Sequence, residues 1–192
     1  YLSLLIYPTF MTKKMNYSYM NFPHLVERMQ LITILTVGEL VIAVIKTYPL
    51  AEHFLLSVST FVMVGFLFVS YISQTVIGIE HHQERAGGPL VYLHIGILFA
   101  INIMTAGVEM YYDGQLLEMG SSMVLVGITL FYVCLFGTSR YNKEGLQMTK
   151  QVALSYFTVY LIGTGLAVFF KNSVVLFFGI LAIQSVVMTQ VT

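Results

Sequence analysis

Six long apolar runs, separated by brief polar punctuation, constrain this 192-residue chain more than any other feature. A helix needs about 20 apolar residues to cross a bilayer's hydrocarbon core. Bounded by breakers, the runs cover 29–47, 54–79, 89–111, 116–136, 152–170 and 174–191. The first ends before Pro49. The third opens at Pro89 after Gly87-Gly88, and proline suits a first helical turn, where its missing N–H is not needed. Asp113-Gly114 and Lys171-Asn172-Ser173 read as turns. The runs are continuous rather than alternating, which argues against a β-barrel. They predict an all-α polytopic membrane protein with about six transmembrane helices.

Composition agrees. Charged residues are 9% of the chain, against about 25% in soluble domains. A water-soluble enzyme, a disordered chain and a nucleic-acid binder are excluded on that basis, and a net charge of zero leaves no basic face for phosphate. The single Cys134 rules out a disulfide framework and supplies too few thiols for a zinc finger. There is no convincing internal repeat or low-complexity segment.

The chain begins at Tyr1, and residues 1–10 are apolar but too short to span. They read as the tail of an earlier helix, and the Lys13-Lys14 pair gives no support to a signal peptide. The expected organisation is the end of a preceding helix plus a cytoplasmic linker over 1–28, then a six-helix transmembrane domain over 29–192. Lys13, Lys14, Arg28, Arg85, Arg140, Lys143 and Lys150 fall on one side of the spans, and Lys46 and Lys171 on the other. Lys and Arg gather on the cytoplasmic side. That bias puts the 137–150 loop in the cytoplasm of a multi-pass inner (plasma) membrane protein, with Asp113 outside.

Ionisable groups inside a span cost at least about 2.5–3.5 kcal/mol, so each needs a reason. Glu39 sits inside the first run, and His94 and Glu109 in the third. At about 100° per residue, His24, Arg28, Glu39 and Lys46 fall within an arc of about 60° on a helix unbroken from His24, and Pro23 fits such a start. His94, Asn102, Thr105 and Glu109 fall within about 80°. Two narrow polar stripes on neighbouring segments are expected to face the bundle interior, with each other as candidate partners. Plainer readings stand beside this one. Arg28 and Lys46 lie near helix ends and can snorkel to the interfaces. Glu39 can belong to a buried ion pair, His94 to an interhelical contact, and Glu109 to the outer interface.

The segment Glu80-His81-His82-Gln83-Glu84-Arg85 invites a metal reading, but adjacent histidines point about 100° apart on a helix. A solvated helix end accounts for it better. Gly163-Thr164-Gly165 reads as close helix packing. No nucleophile elbow, phosphate loop or dinucleotide fingerprint is present, and no cofactor or metal is expected.

The run His24-Leu25-Val26-Glu27-Arg28 through Gly38-Glu39 resembles the hallmark of the bacterial low temperature requirement A (LtrA) membrane proteins. That pattern is roughly H-x-x-E-R-F-G-L-F-x-I-I-x-L-G-E. His24, Glu27, Arg28, Gly38 and Glu39 stand at matching spacings, and Met29-Gln30 replaces the usual Phe-Gly. Tyr92-Leu93-His94 and Ala106-Gly107-Val108-Glu109 resemble the family's Y-x-H segment and the small-residue stretch after it. The resemblance covers about 24 to 110. The family's second span is often tryptophan-rich with an acid nearby, whereas this chain has no Trp and carries Phe66, Phe68 and Tyr71 there without an acid. Any role of that acid therefore does not carry over.

The resemblance implies an integral membrane protein. Family members are longer, so this chain would correspond to the later half, and the family name describes a growth requirement rather than a chemistry. The expected function is transport or permeation of a small solute or ion, with Glu39 as polar centre. His24 and Arg28 would set its charge state from the cytoplasmic end, and His94 and Glu109 would continue the path outward. Glu27, Asn102, Thr105 and Lys46 are secondary. The alternative is a non-transporting factor, structural or lipid- or partner-binding, supporting growth under cold or envelope stress. An enzyme is not expected. Expected partners are membrane lipid, a small ion or solute, and the preceding half of the same protein or a second copy, with no nucleic acid.

Overall fold

The computed structural model describes residues 21–83, 85–112 and 116–191. The expected helix tail at 1–10 and the Asp113-Gly114 turn lie outside these residues. Among them, six α-helices follow one another: α1 Phe22–Thr47, α2 Phe54–Ile72, α3 Gly88–Tyr112, α4 Leu117–Thr138, α5 Lys150–Phe169 and α6 Val174–Val191. A π-helix, Ser73–Gly78, extends α2, and a 3-10 turn, Ser139–Tyr141, extends α4. Five of these segments are long and apolar enough to cross a membrane, and α6 is a shorter apolar helix. The chain is thus an all-α, multi-pass membrane protein.

Local chemistry sets the ends. The Asn21 side chain accepts from His24 N at 3.4 Å, and Pro23 occupies the first turn. α1 therefore begins at Phe22, seven residues before the apolar run does. Tyr48 closes it ahead of Pro49. Thr149 caps α5 by accepting from Val152 N at 3.2 Å. The α5–α6 turn is closed by Ser173 N donating to Phe170 O at 2.9 Å.

α3 and α4 form the most intimate pair. A Cβ on Gly107 would stand 2.8 Å from Val124 N, and Cβ atoms on Gly120 and Gly127 would strike the backbones of Tyr111 and Ala100. Only missing side chains let these backbones approach, which is how helices associate where lipid is as apolar as leucine. α1 packs on α3, α2 on α6, and α5 on α6. Leu40, Val44, Met63, Ile97, Met104, Ile128, Phe131 and Leu181 fill the shared core.

The two ends of the bundle are held differently. At the end where α1 starts, the 79–86 segment and the turn after α4 are laced together. Glu80 N donates to Tyr141 O at 2.9 Å, Lys143 N to Gly78 O at 2.9 Å, and Tyr141 Oη to Ala86 O at 2.8 Å. Arg85 donates to Arg140 O, and Gln83 Nε2 reaches Tyr141 O at 3.1 Å. In place of the expected helix end over 80–85, the described residues 80–83 and 85 are irregular and laced. At the opposite end, rings of Tyr48, Tyr111, Tyr112, Phe177 and Phe178 meet edge to face, and Lys171 pairs with Glu118 at 3.1 Å.

Candidate functional site

The residues expected to form one inward path are dispersed. His24, Glu27, Arg28, Glu39 and Lys46 all lie on the exposed face of α1. His24 Nδ1 stands 3.1 Å from Glu27 Oε2, a pair within one turn. Glu39 makes no hydrogen bond or ion pair among the described residues. The inward-facing stripe on α1 is therefore corrected: the stripe shares its face with Leu31, Leu35 and Ile42. The opposite face packs into the bundle through Val26, Thr33, Thr36, Leu40, Ala43 and Val44. Thr33 and Thr36 permit this by donating to Met29 O at 2.8 Å and Ile32 O at 3.0 Å on their own helix. Helical arithmetic finds which residues share a face. It does not find which face turns inward when the buried one carries self-satisfied hydroxyls.

The α3 stripe straddles a boundary. His94 is fully buried, Thr105 is half-buried, and Asn102 and Glu109 are exposed. Asn102 Nδ2 donates to Leu98 O and Thr105 Oγ1 to Ile101 O, each at 2.9 Å, so both fold back on their own helix. Glu39 and His94 thus do not face one another. His94 meets Tyr71 of α2 instead, edge to face with ring centroids 5.8 Å apart. His94 Nδ1 donates to Leu90 O at 2.9 Å. A carbonyl only accepts, so a neutral ring carries its hydrogen on Nδ1 and leaves Nε2 an acceptor. Among the described residues Nε2 has no hydrogen-bond partner, and neither has the Tyr71 hydroxyl, which Thr33 of α1 faces.

A second set of buried polar groups adjoins the first through the neighbouring Ser70. Ser70 Oγ and Thr189 Oγ1 are 2.8 Å apart. The Tyr132 hydroxyl, faced by Ser70 and Ser185, makes no well-formed hydrogen bond. His94 lies six residues into α3 and Tyr156 six into α5, while Tyr132 and Ser185 lie six before the ends of α4 and α6. His94, Tyr132 and Tyr156 thus mark a polar layer about 9 Å inside the laced end at 1.5 Å per residue, which Ser70 and Ser185 join at the Tyr132 hydroxyl. Sequence reading singled out only His94 of this layer. Tyr71 was noted for lacking an acid nearby, and the apolar context of Ser70, Tyr132, Ser185 and Thr189 gave no signal.

The metal-suggesting segment is occupied otherwise. Glu80 Oε1 accepts from His82 N at 3.0 Å, and His81 Nε2 lies 3.0 Å from Thr75 O. Gly163 leaves space that the Gln184 amide fills, which is the close packing expected there, whereas nothing lies near Gly165.

Larger spaces lie between other helices. One of about 420 Å3 sits at the laced end among the π-helix, the loop after α4 and the start of α5. Another of about 490 Å3 lies between α4 and α5. Their walls include none of the eight stripe residues and not Glu27.

The sequence model of a family described as "Bacterial low temperature requirement A protein (LtrA)" matches residues 1–190. The match extends on both sides of the two motifs at 24–39 and 92–109. No curated protein and no solved structure matches the chain.

Proposed function

Because this chain belongs to the bacterial low temperature requirement A (LtrA) family, we propose that it is a membrane protein for transport or permeation of a small solute or ion. The exposed face of α1 forms one wall of the path, and further polypeptide covers that face. The observation that carries this reading is Glu39: a carboxylate on the outside of a spanning helix, without a partner among the described residues. It lies eight residues, about 12 Å, from the Thr47 end. The helix is about 39 Å long against a core of about 30 Å, so Glu39 sits within the hydrocarbon zone. A charge left there against lipid costs at least about 2.5–3.5 kcal/mol. Protein or water must therefore cover it. His24 and Arg28 stand on the same face at the laced end, and Lys46 at the other. The stripe gives an ion or polar solute successive contacts from one interface to the other, and the preceding half of the same protein or a second copy would complete it. Glu109 and Asn102 are exposed on α3 and would extend the path outward, Glu109 as a main contact and Asn102 as a secondary one.

The other reading is a non-transporting factor that uses the same stripe to dock a partner helix. It is favoured by the position of the two larger cavities, away from Glu39. Glu39→Gln separates the two, since glutamine keeps shape and hydrogen bonding but fixes the neutral form. In proteoliposomes of the full-length protein, a path through Glu39 predicts lost flux with folding retained by fluorescence-detected size exclusion. Loss of folded protein, restored by neutralising a facing cation, would establish docking instead. Full flux from a stable Gln variant would remove Glu39 from the mechanism.

A further inference from the structure

The two larger cavities meet at Tyr156, which lines both. Their walls are chemically opposite. The 420 Å3 cavity presents Ser73, Gln74, Asn142, Gln147 and Thr149. It is a built site. Gln74 is 5% exposed, and its Nε2 donates to Asn142 Oδ1 at 2.6 Å. Asn142 Nδ2 in turn donates to Leu146 O at 2.8 Å, which holds the loop over the cavity. Gly145 turns that loop at φ 92°, a left-handed conformation open to glycine. The floor is the π-helix, a rare wide turn that recurs at functional sites. Lys143, Glu144 and Lys150 belong to the same stretch of chain, yet among the described residues no charged side chain lines the cavity.

The 490 Å3 cavity is apolar, walled by Val133, Phe136, Ala153, Phe157 and Met188. It exists because α4 and α5 meet through side chains rather than along their backbones. Tyr132 and Phe136 reach Tyr156 at ring distances of 6.0 and 6.3 Å, and Thr129 reaches Tyr160 at 2.6 Å. Val133 and Phe157 are exposed, so the cleft opens sideways toward lipid. Both volumes fall in the range of about 300–1,000 Å3 usual for ligand sites.

We propose that this cavity pair binds a single-chain membrane amphiphile with an uncharged, hydrogen-bonding headgroup, the chemical class of a monoacylglycerol. The headgroup meets the Gln74, Asn142 and Gln147 amides and the Ser73 and Thr149 hydroxyls. The chain lies in the α4–α5 cleft. A phosphate or carboxylate headgroup would lose its water there without a counter-charge, which disfavours it. The site uses no residue of α1 and stands whether or not Glu39 carries a solute.

The test uses the full chain in phosphatidylcholine nanodiscs with a monoacylglycerol bearing a photoreactive group on its acyl chain. Labelled residues are mapped by mass spectrometry. Competitors are unlabelled monoacylglycerol, lysophosphatidic acid of the same chain, and glycerol. The expected result is saturable labelling between residues 133 and 157, with the neutral amphiphile competing about tenfold or more better than the phosphate compound. Glycerol should not compete. Ala153→Trp should remove the labelling by filling the cleft. Gln147→Ala, in the exposed loop, should narrow the neutral-over-phosphate preference in a chain that folds normally. Labelling spread equally over Leu31 and Leu35 of α1 would overturn the proposal. So would equal competition by the phosphate compound, or displacement by glycerol alone.

Discussion

Tyr71 and His94 carry a donor and an acceptor that stay unpaired among the described residues although their rings touch, and replacing either by Phe tests what they are for. Tyr71→Phe keeps the ring and removes only the hydroxyl. A buried polar group without a partner costs about 1–3 kcal/mol, so the variant should gain about 1 kcal/mol or more. His94→Phe removes the orphan Nε2 on the same terms but also the Nδ1 bond to Leu90 O, worth about 0.5–1.5 kcal/mol. Its expected net gain is smaller, about 0.5–1 kcal/mol. The edge-to-face ring contact survives in both variants. Because the two polar atoms do not bond each other, the double variant should be additive within about 0.5 kcal/mol. Equilibrium unfolding of purified protein in mixed micelles titrated with SDS reads all three. A loss of more than about 1 kcal/mol in either single variant, with coupling between them, would refute the reasoning. It would show the two groups joined directly or through a bound water. If both variants gain stability and lose flux, the orphans are kept for function at the expense of stability.

The α3–α4 contact makes a second prediction. Gly107→Val drives a side chain into the Val124 backbone and should cost at least the 1–3 kcal/mol, roughly, of core overpacking, read as a lower Tm. Gly165→Ala meets open space and should be neutral or gain up to about 1 kcal/mol. A third prediction concerns orientation: Glu144→Cys on a Cys134→Ser background should react with an impermeant thiol reagent only after the cells are opened. Labelling from outside intact cells would invert the assigned topology.

The number and order of the helices were legible because a bilayer imposes a length on every span. Their ends were less so. His24, Glu27 and Arg28 interrupt the apolar run, so hydropathy starts α1 at 29. The Asn21 cap and Pro23 carry the helix to 22. The π-helix left no trace, since Ser73-Gln74-Thr75 reads like any polar helix end. The larger failure is one of facing. The charges on α1 look like interior residues only if its other face is plain lipid surface, and that face is buried through Thr33 and Thr36. The pairing of His94 with Tyr71 depends on how α2 lies against α3, a tertiary fact without a local signature. The amide cavity escaped notice because Gln74 lies far in sequence from Asn142 and Gln147, all three are neutral, and a search keyed to charge passes over them.

The lacing between the 79–86 segment and the turn after α4 has a mechanical consequence. Five hydrogen bonds tie the α2–α3 connection to the α4–α5 connection, two of them between backbone groups. The far end is tied as well, but through side chains: Tyr48 Oη donates to Val108 O at 2.9 Å, Tyr111 Oη donates to Lys171 O, and His53 Nε2 lies 3.1 Å from Tyr112 Oη. Substitution can therefore loosen the far end one hydroxyl at a time, whereas the amides of Glu80 and Lys143 stay in place under any change but proline.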